Sequence, residues 1–313
     1  MRLVFIGTGE IGVPTLHALL KSARHQLAGV VTQPDKPAGR DQELRAPPIK
    51  TAIARSAVPI FQPARIRASE AIEQIRALNP EVIVVMAYGQ ILPKTVLDIP
   101  RVACLNLHAS LLPKYRGAAP IQAAIATGDR ETGITVMYVD EGLDTGDILM
   151  QSRIDVPPNE TGSSLHDRLG KIAAEALIES LDLLSKGAAP RIPQDDALAS
   201  YAPKLTRDQG KIDWTEPAIV IERKIRAFDP WPGTFKLLDG PGGRSQKLKI
   251  FRASVVPGEQ TAPGKILRAD QEGILIGAKS GAVLVSEVQL EGKRRMSAAE
   301  FGHGHPGIVP AGK

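Results

Sequence analysis

Asn106 and His108 stand two residues apart in the run Cys104-Leu105-Asn106-Leu107-His108. In a strand the side chains alternate in direction, so these two polar groups project to the same face. Further on, Val139-Asp140-Glu141-Gly142-Leu143-Asp144-Thr145-Gly146-Asp147 is an acidic, glycine-punctuated loop after another run of strand character. A carboxylate brought beside an imidazole favours its charged form and fixes its orientation, and a neutral amide can donate to an oxyanion forming on a carbonyl. Asn, His and Asp together suit acyl transfer through a tetrahedral intermediate. No Ser or Cys stands in a nucleophile-elbow context, which favours direct transfer between two bound substrates over a covalent acyl-enzyme. One Asn and one His at a strand end also serve simply to cap the following loop, and the residues alone leave both readings open. The lone Cys104 is expected to pack in the core.

Such side chains need strands to carry them. Leu3–Ile6, Leu27–Val31, Val82–Met86, Val102–Leu105 and Ile134–Val139 are rich in Val and Ile, and helical spacing over Val13–Leu20, Ala68–Leu78 and Ile121–Ala126 separates them. A longer amphipathic helix, Ser164–Ser185, follows. This alternation predicts an open, mainly parallel α/β sheet with ligands at the carboxyl edge of its strands. Gly7-Thr8-Gly9-Glu10-Ile11-Gly12 fits a dinucleotide fingerprint by spacing. However, the second strand ends Val31-Thr32-Gln33 without the ribose-binding acid, and Glu10 sets a negative charge where a pyrophosphate would lie. A tight strand-to-helix turn is the better reading.

From Lys186 the text changes to a Pro- and Gly-rich stretch without period, which reads as a linker. Beyond Asp208, the short runs Lys247–Phe251, Lys265–Leu267, Gly273–Ile276 and Ala282–Val288 suggest a small β-barrel of the oligonucleotide-binding type.

The chain's 313 residues suffice for two domains, and its 43% apolar and 23% charged content excludes general disorder. A single cysteine excludes an internal disulfide and any cysteine-cluster metal site. His303 and His305 are only two potential ligands in a glycine-rich stretch, so no metal is expected. The short apolar run near Met1 predicts neither a signal peptide nor a membrane span, and a soluble, cytoplasmic monomer is expected. Charge is uneven: residues 1–202 carry net −1 and residues 203–313 net +6. A basic second domain beside a neutral first one fits a polyanionic partner, although such a surplus is also ordinary solubility charge. Trp214, Trp231 and Pro232 read as staples of the second domain, and His17, His25 and His166 as surface or helix-face residues.

At these residues the sequence resembles the folate-dependent formyltransferases. Asn106, His108 and Asp144, the segment SLLPKYRGAAPI at 110–121 and GLDTGDIL at 142–149 match that family's catalytic and folate-binding motifs. VVTQPDKPAGR at 30–40, VVMAYGQILP at 84–93, IDWTEPA at 212–218 and IRAFDPWPGTF at 225–235 are similar to the branch whose acceptor is methionine esterified to initiator tRNA. The resemblance implies a Rossmann-like formyltransferase domain over 1–187, a linker over 188–207 and a C-terminal β-barrel tRNA-binding domain over 208–313. It implies transfer from 10-formyltetrahydrofolate to the α-amino group of methionyl initiator tRNA for translation initiation. Asn106 would serve the oxyanion, His108 proton transfer, and Asp144 the charge of the histidine and a water. Ser110, Leu111, Leu112, Pro113, Val139, Asp140 and Gly142 would hold folate, and Arg40 and Arg45 would meet tRNA. Asp41 and Glu43 depart from the family's more basic loop there. Glycinamide ribonucleotide formyltransferases lack such a second domain. Sugar-nucleotide formyltransferases share the two-domain plan and are the nearest rival, and a folate or RNA binder without turnover is the rival of another class.

Overall fold

A computed structural model describes residues 1–39, 41–239, 245–258 and 262–305. The chain divides into one compact unit of Met1–Pro120, Glu131–Asp155 and His166–Ala202, and a second of Ile121–Arg130, Val156–Leu165 and Pro203–Lys313.

Among the described residues, nine strands belong to the first unit: β1 (Arg2–Gly7), β2 (Gln26–Val31), β3 (Lys36–Ala38), β4 (Glu43–Arg45), β5 (Ile60–Phe61), β6 (Val82–Met86), β7 (Ala103–His108), β8 (Glu131–Tyr138) and β9 (Ile148–Asp155). β3 and β4 form a separate hairpin, and the rest make one sheet in the order β5-β2-β1-β6-β7-β8-β9. From β5 to β7 every pairing is parallel. Of these, β1, β2, β6 and β7 are buried on both faces along most of their length, as unbroken Val/Ile/Leu runs require, and each fully buried side chain such as Phe5 or Ile83 contributes about 1.5–3 kcal/mol. Helices α1 (Val13–Lys21) and α3 (Ser69–Ala77) bury Leu16, Leu19 and Ile75 in the unit's core, with α2 (Pro48–Ala52) and α4 (Lys94–Leu97) shorter.

The strand expected over Ile134–Val139 is present, but it runs antiparallel to β7 and to β9. The loop 139–147 that joins β8 to β9 is too short for a parallel crossover, which needs about a dozen residues or more, so a hairpin results. The acidic loop therefore leaves β8 beside Cys104, whose carbonyl accepts from the Val139 amide at 2.8 Å. It reaches His108 by folding back, not by sharing a strand end with it.

Strand order reverses between β1 and β6, where ligands of open α/β sheets usually sit. Here the chain closes that crevice itself. The Gly9 amide donates to the Ala87 carbonyl at 3.3 Å, and the Thr8 hydroxyl and Gln33 Nε2 donate to the Tyr88 carbonyl at 3.1 and 3.3 Å. The glycine run is a strand-to-helix turn. His25, expected at a surface, is buried, with the Met1 amino group 3.4 Å from Nδ1 and Asp182 3.6 Å from Nε2.

Residues 188–202 are bonded into the first unit. Ile192 exchanges backbone hydrogen bonds of 2.8 and 3.0 Å with Ile148, and the Ala202 amide donates to the Arg116 carbonyl at 2.8 Å.

The second unit holds β10 (Thr234–Asp239), β11 (Ser245–Val256), β12 (Ile266–Asp270), β13 (Gly273–Gly277), β14 (Ala282–Leu290) and β15 (Met296–Ser297). They pair antiparallel in the order β10-β11-β14-β13-β12, with β15 beside β14. Ile221 and Ile225 of the helix Ala218–Ala227, Leu248, Ile250, Val283 and Phe301 share its core with Trp214. Trp231 is exposed, under the Arg207 guanidinium at 5.8 Å. His305 stacks on Phe301 with ring centroids 4.2 Å apart and places Nδ1 2.9 Å from the Phe301 carbonyl. Among the described residues no cluster of three potential metal ligands occurs, and no helix is long and apolar enough to cross a membrane.

Candidate active site

β7 sends Cys104, Asn106 and His108 to one face, and their surroundings grade along the strand. Cys104 lies in the core with Val85 and Val96, and burial pushes its thiol up to about 12, which leaves it inert. Asn106 is half-buried and His108 is buried.

Asp144 joins them from the β8–β9 loop. Its Oδ1 accepts from Asn106 Nδ2 at 3.3 Å; its Oδ2 lies 3.6 Å from His108 Nδ1 and accepts from the Gly117 amide at 2.8 Å. The other ring nitrogen of His108, Nε2, lies 2.9 Å from the Tyr115 carbonyl. A carbonyl only accepts, so Nε2 carries a proton, and Nδ1 is the ring atom turned to the carboxylate. A proton gained at Nδ1 would thus be held by Asp144. The three side chains converge on one point, two from a rigid strand and one from a loop.

The loops that complete this point carry backbone strain. Ala87, Tyr115 and Asp144 have φ of +47°, +61° and +55°, a region that costs a non-glycine residue about 1–2 kcal/mol. The gain is positional: Tyr115 presents its carbonyl to His108, and Asp144 turns its carboxylate inward. Two glycines of the β8–β9 loop stand where a side chain would collide, Gly146 against backbone and Gly142 against a side chain. A Cβ at Gly142 would strike Thr145 Oγ1, and one at Gly146 would strike the Tyr138 carbonyl. Asp140 shapes the same loop, accepting from the Gly142 amide at 3.0 Å and the Thr145 hydroxyl at 2.8 Å.

The segment after β7 is fixed from beneath. Thr135, buried within β8, donates to the Ser110 carbonyl at 2.7 Å and accepts from the Leu112 amide at 3.0 Å. Gln151 donates to the Leu112 carbonyl at 2.8 Å, and the buried Ser110 hydroxyl donates to the Lys114 carbonyl at 2.6 Å. Leu112 is buried, whereas Leu111 and Pro113 are half-buried and Val139 partly buried against the core. Asp140, Gly142 and Leu143 are exposed, as is Ile91 after β6. Hydrogen bonding to Asp98 chiefly raises the Lys94 pKa, with the charges of Asp98 and Glu141 adding to it.

Arg45 stands exposed on β4, and Arg40 lies outside the described residues. Sequence reasoning missed Thr135, Gln151, Arg116 and Gln194. A threonine inside an otherwise apolar strand run is a readable signal for the first of these. Gln194 lies in the segment that reads as linker and carries no local signal.

A formyl transferase family model matches residues 1–181, and a model of the formyl transferase C-terminal domain matches residues 204–306. This chain belongs to the formyl transferase family. A methionyl-tRNA formyltransferase of Geobacter sulfurreducens is 47% identical to it over 301 residues, covering 96% of this chain and 93% of the relative. The enzyme of that name from Methylacidiphilum infernorum is 49% identical over 305 residues, covering 97% and 95%. Among solved formyl transferases, the fold matches methionyl-tRNA formyltransferase from Clostridium thermocellum at a TM-score of 0.60 and 19% identity, covering 93% of this chain and 98% of that one. It also matches the sugar 3N-formyl transferase WlaRD at 0.66 and 18%, covering 94% and 99%.

Proposed function

We propose that this formyl transferase moves the formyl group of 10-formyltetrahydrofolate to the α-amino group of methionine on initiator tRNA, in the cytoplasm, for translation initiation. The observation that carries this reading is the meeting of Asn106, His108 and Asp144 at one point in a chain whose curated relatives bear that activity in their names.

The chemistry needs little activation of the nucleophile, because an ordinary α-amino group titrates near about 8 and is partly neutral at working pH. The amine nitrogen bonds to the formyl carbon, and the carbonyl oxygen becomes an oxyanion. Asn106 Nδ2 has a second N–H beyond the one on Asp144, and that donor serves the oxyanion. The proton released by the attacking nitrogen passes to the departing folate nitrogen as the old C–N bond breaks. His108 relays it, and Asp144 stabilises the imidazolium so formed.

Residues 110–113 and 139–142 would hold the folate. Ser110 and Leu112 act there through backbone shape, since their side chains face inward. Exposed Ile91 and Leu143 would supply apolar walls for a flat ring. Arg40, Arg45 and the basic residues of the second unit would meet the tRNA phosphates.

The test offers the purified protein 10-formyltetrahydrofolate with methionyl initiator tRNA and, separately, with an amino-sugar nucleotide. Formylmethionyl-tRNA is the expected product. Product from the amino sugar alone would reject the reading.

A further inference from the structure

The loop that delivers Asp144 is exposed from Asp140 to Leu143, yet Asp144 itself holds a strained left-handed backbone and must keep its carboxylate in place. Gln194 does much of the holding. Its Nε2 donates one hydrogen to the Asp144 carbonyl at 2.9 Å and the other to the Gly146 carbonyl at 2.8 Å. Its Oε1 accepts from Arg116 Nε at 3.1 Å and Nη2 at 2.9 Å. The amide is therefore fixed one way round. Turned over, it would set NH2 against a guanidinium and oxygen against two carbonyls.

Arg116 is buried, and Nη2 also bonds Asp196 Oδ1 at 2.7 Å. Its backbone is pinned at both ends, the amide donating to the Ser200 carbonyl and the carbonyl accepting from the Ala202 amide, each at 2.8 Å. Its two neighbours in sequence touch the trio directly: the Tyr115 carbonyl meets His108, and the Gly117 amide meets Asp144. One short segment thus sets His108 and the Asp144 carboxylate through its backbone, and the Asp144 backbone through the Arg116 side chain and Gln194.

We infer that Gln194, oriented by Arg116, is a positioning residue for the catalytic carboxylate, clamping the β8–β9 loop so that Asp144 reaches both Asn106 and His108. This deepens the proposed function and rests on Asp144 having the role given it there. Gln194 touches neither the reacting atoms nor the trio's side chains; it acts through the Asp144 backbone.

The discriminating variant is Gln194→Glu. A carboxylate keeps the size and the acceptor for Arg116, with which it can pair bidentately, but it donates to neither carbonyl. The unit should stay folded while the clamp opens. In the full-length protein, kcat for formyl transfer falls about tenfold to a hundredfold, the size expected for a small displacement of a catalytic group, with the KM for tRNA within about twofold. The melting temperature stays within about 2 °C. Exchange of the Gly117 amide, read in 15N-glycine-labelled protein, accelerates about tenfold or more as its acceptor is freed. Arg116→Lys moves both readouts the same way, because a lysine cannot hold the amide with two hydrogen bonds.

Wild-type kcat together with wild-type Gly117 exchange in Gln194→Glu would overturn the inference. So would a loss of kcat explained by a matching loss of melting temperature with Gly117 exchange unchanged. If the wild-type protein formylates neither acceptor while Gly117 exchange still responds to Gln194→Glu, the clamp stands and the proposed function falls.

Discussion

Replacing Asp144 with asparagine removes a charge and almost no volume, so its effect can be worked out contact by contact. The carboxylate accepts from two donors, Asn106 Nδ2 at 3.3 Å and the Gly117 amide at 2.8 Å. The introduced amide has one oxygen for both. With that oxygen kept on the shorter, backbone contact, its NH2 faces the NH2 of Asn106, and the Asn106 side chain must turn over to present its own oxygen. The donor assigned to the oxyanion then points elsewhere. Loss of one such donor costs on the order of 10²–10³-fold in kcat. The imidazolium of His108 also loses the negative charge 3.6 Å from Nδ1, which moves the rate in the same direction. Asp144→Asn should therefore lower the single-turnover rate of formyl transfer by about 10²-fold or more, with folate affinity changed less than about threefold. Rapid-quench turnover with enzyme in excess over methionyl-tRNA measures the first, and calorimetric titration the second. A single-turnover rate within about threefold of wild type would mean that the Asn106 orientation does not limit the reaction and that Asn106 does not serve the oxyanion.

Cys104, whose thiol burial pushes up to about 12, should resist iodoacetamide in the native protein at about pH 8 and react only on unfolding; equal native and unfolded rates would contradict its burial. His25 has its pKa lowered from 6.5, chiefly by burial and then by the Met1 amino group and Arg24, with Asp182 opposing. The unfolded chain then binds that proton more readily, so stability is retained above 6.5 and is lost as pH falls through 6.5 towards the folded-state value. The melting temperature should drop between about pH 7.5 and about pH 5.5, and less in His25→Gln; equal drops would show that another group is responsible. Lys247 and Lys249 project outward on β11, opposite to buried Leu248 and Ile250. Reversing both charges should raise the KM for tRNA, leave folate affinity unchanged and flatten the salt dependence by about one unit per lysine, whereas an unchanged slope would place the tRNA elsewhere.

Much of the site was legible because it depends on short-range geometry. Strand alternation alone puts Asn106 and His108 on one face, and the Val- and Ile-rich runs locate the strands to within a few residues. The direction of β8 was not legible. Parallel and antiparallel neighbours look alike in hydrophobic pattern, and the connection 109–130 from β7 to β8 is long enough for either direction; the short β8–β9 loop fixes only the hairpin that follows. Nothing local marks His25 for burial, since its carboxylate neighbour Asp182 lies far along the chain. The same limit hid Gln194. Its partners, Arg116, Asp144 and Gly146, are separated from it by 48 to 78 positions, and a Pro- and Gly-rich stretch gives no sign that it will be bonded into a sheet unit. Thr135 was accessible in principle, since a hydroxyl in a strand buried from Thr132 to Tyr138 must find partners inside.

In the proposed reaction Asn106, His108 and Asp144 surround a single reacting carbonyl. A crystal structure of this protein with an unreactive formyl-bearing folate analogue tests it most directly. The formyl oxygen is expected about 2.7–3.1 Å from Asn106 Nδ2, with the His108 ring beside the formyl carbon. A well-ordered analogue whose formyl group lies beyond hydrogen-bond reach of Asn106 and away from His108 would contradict it.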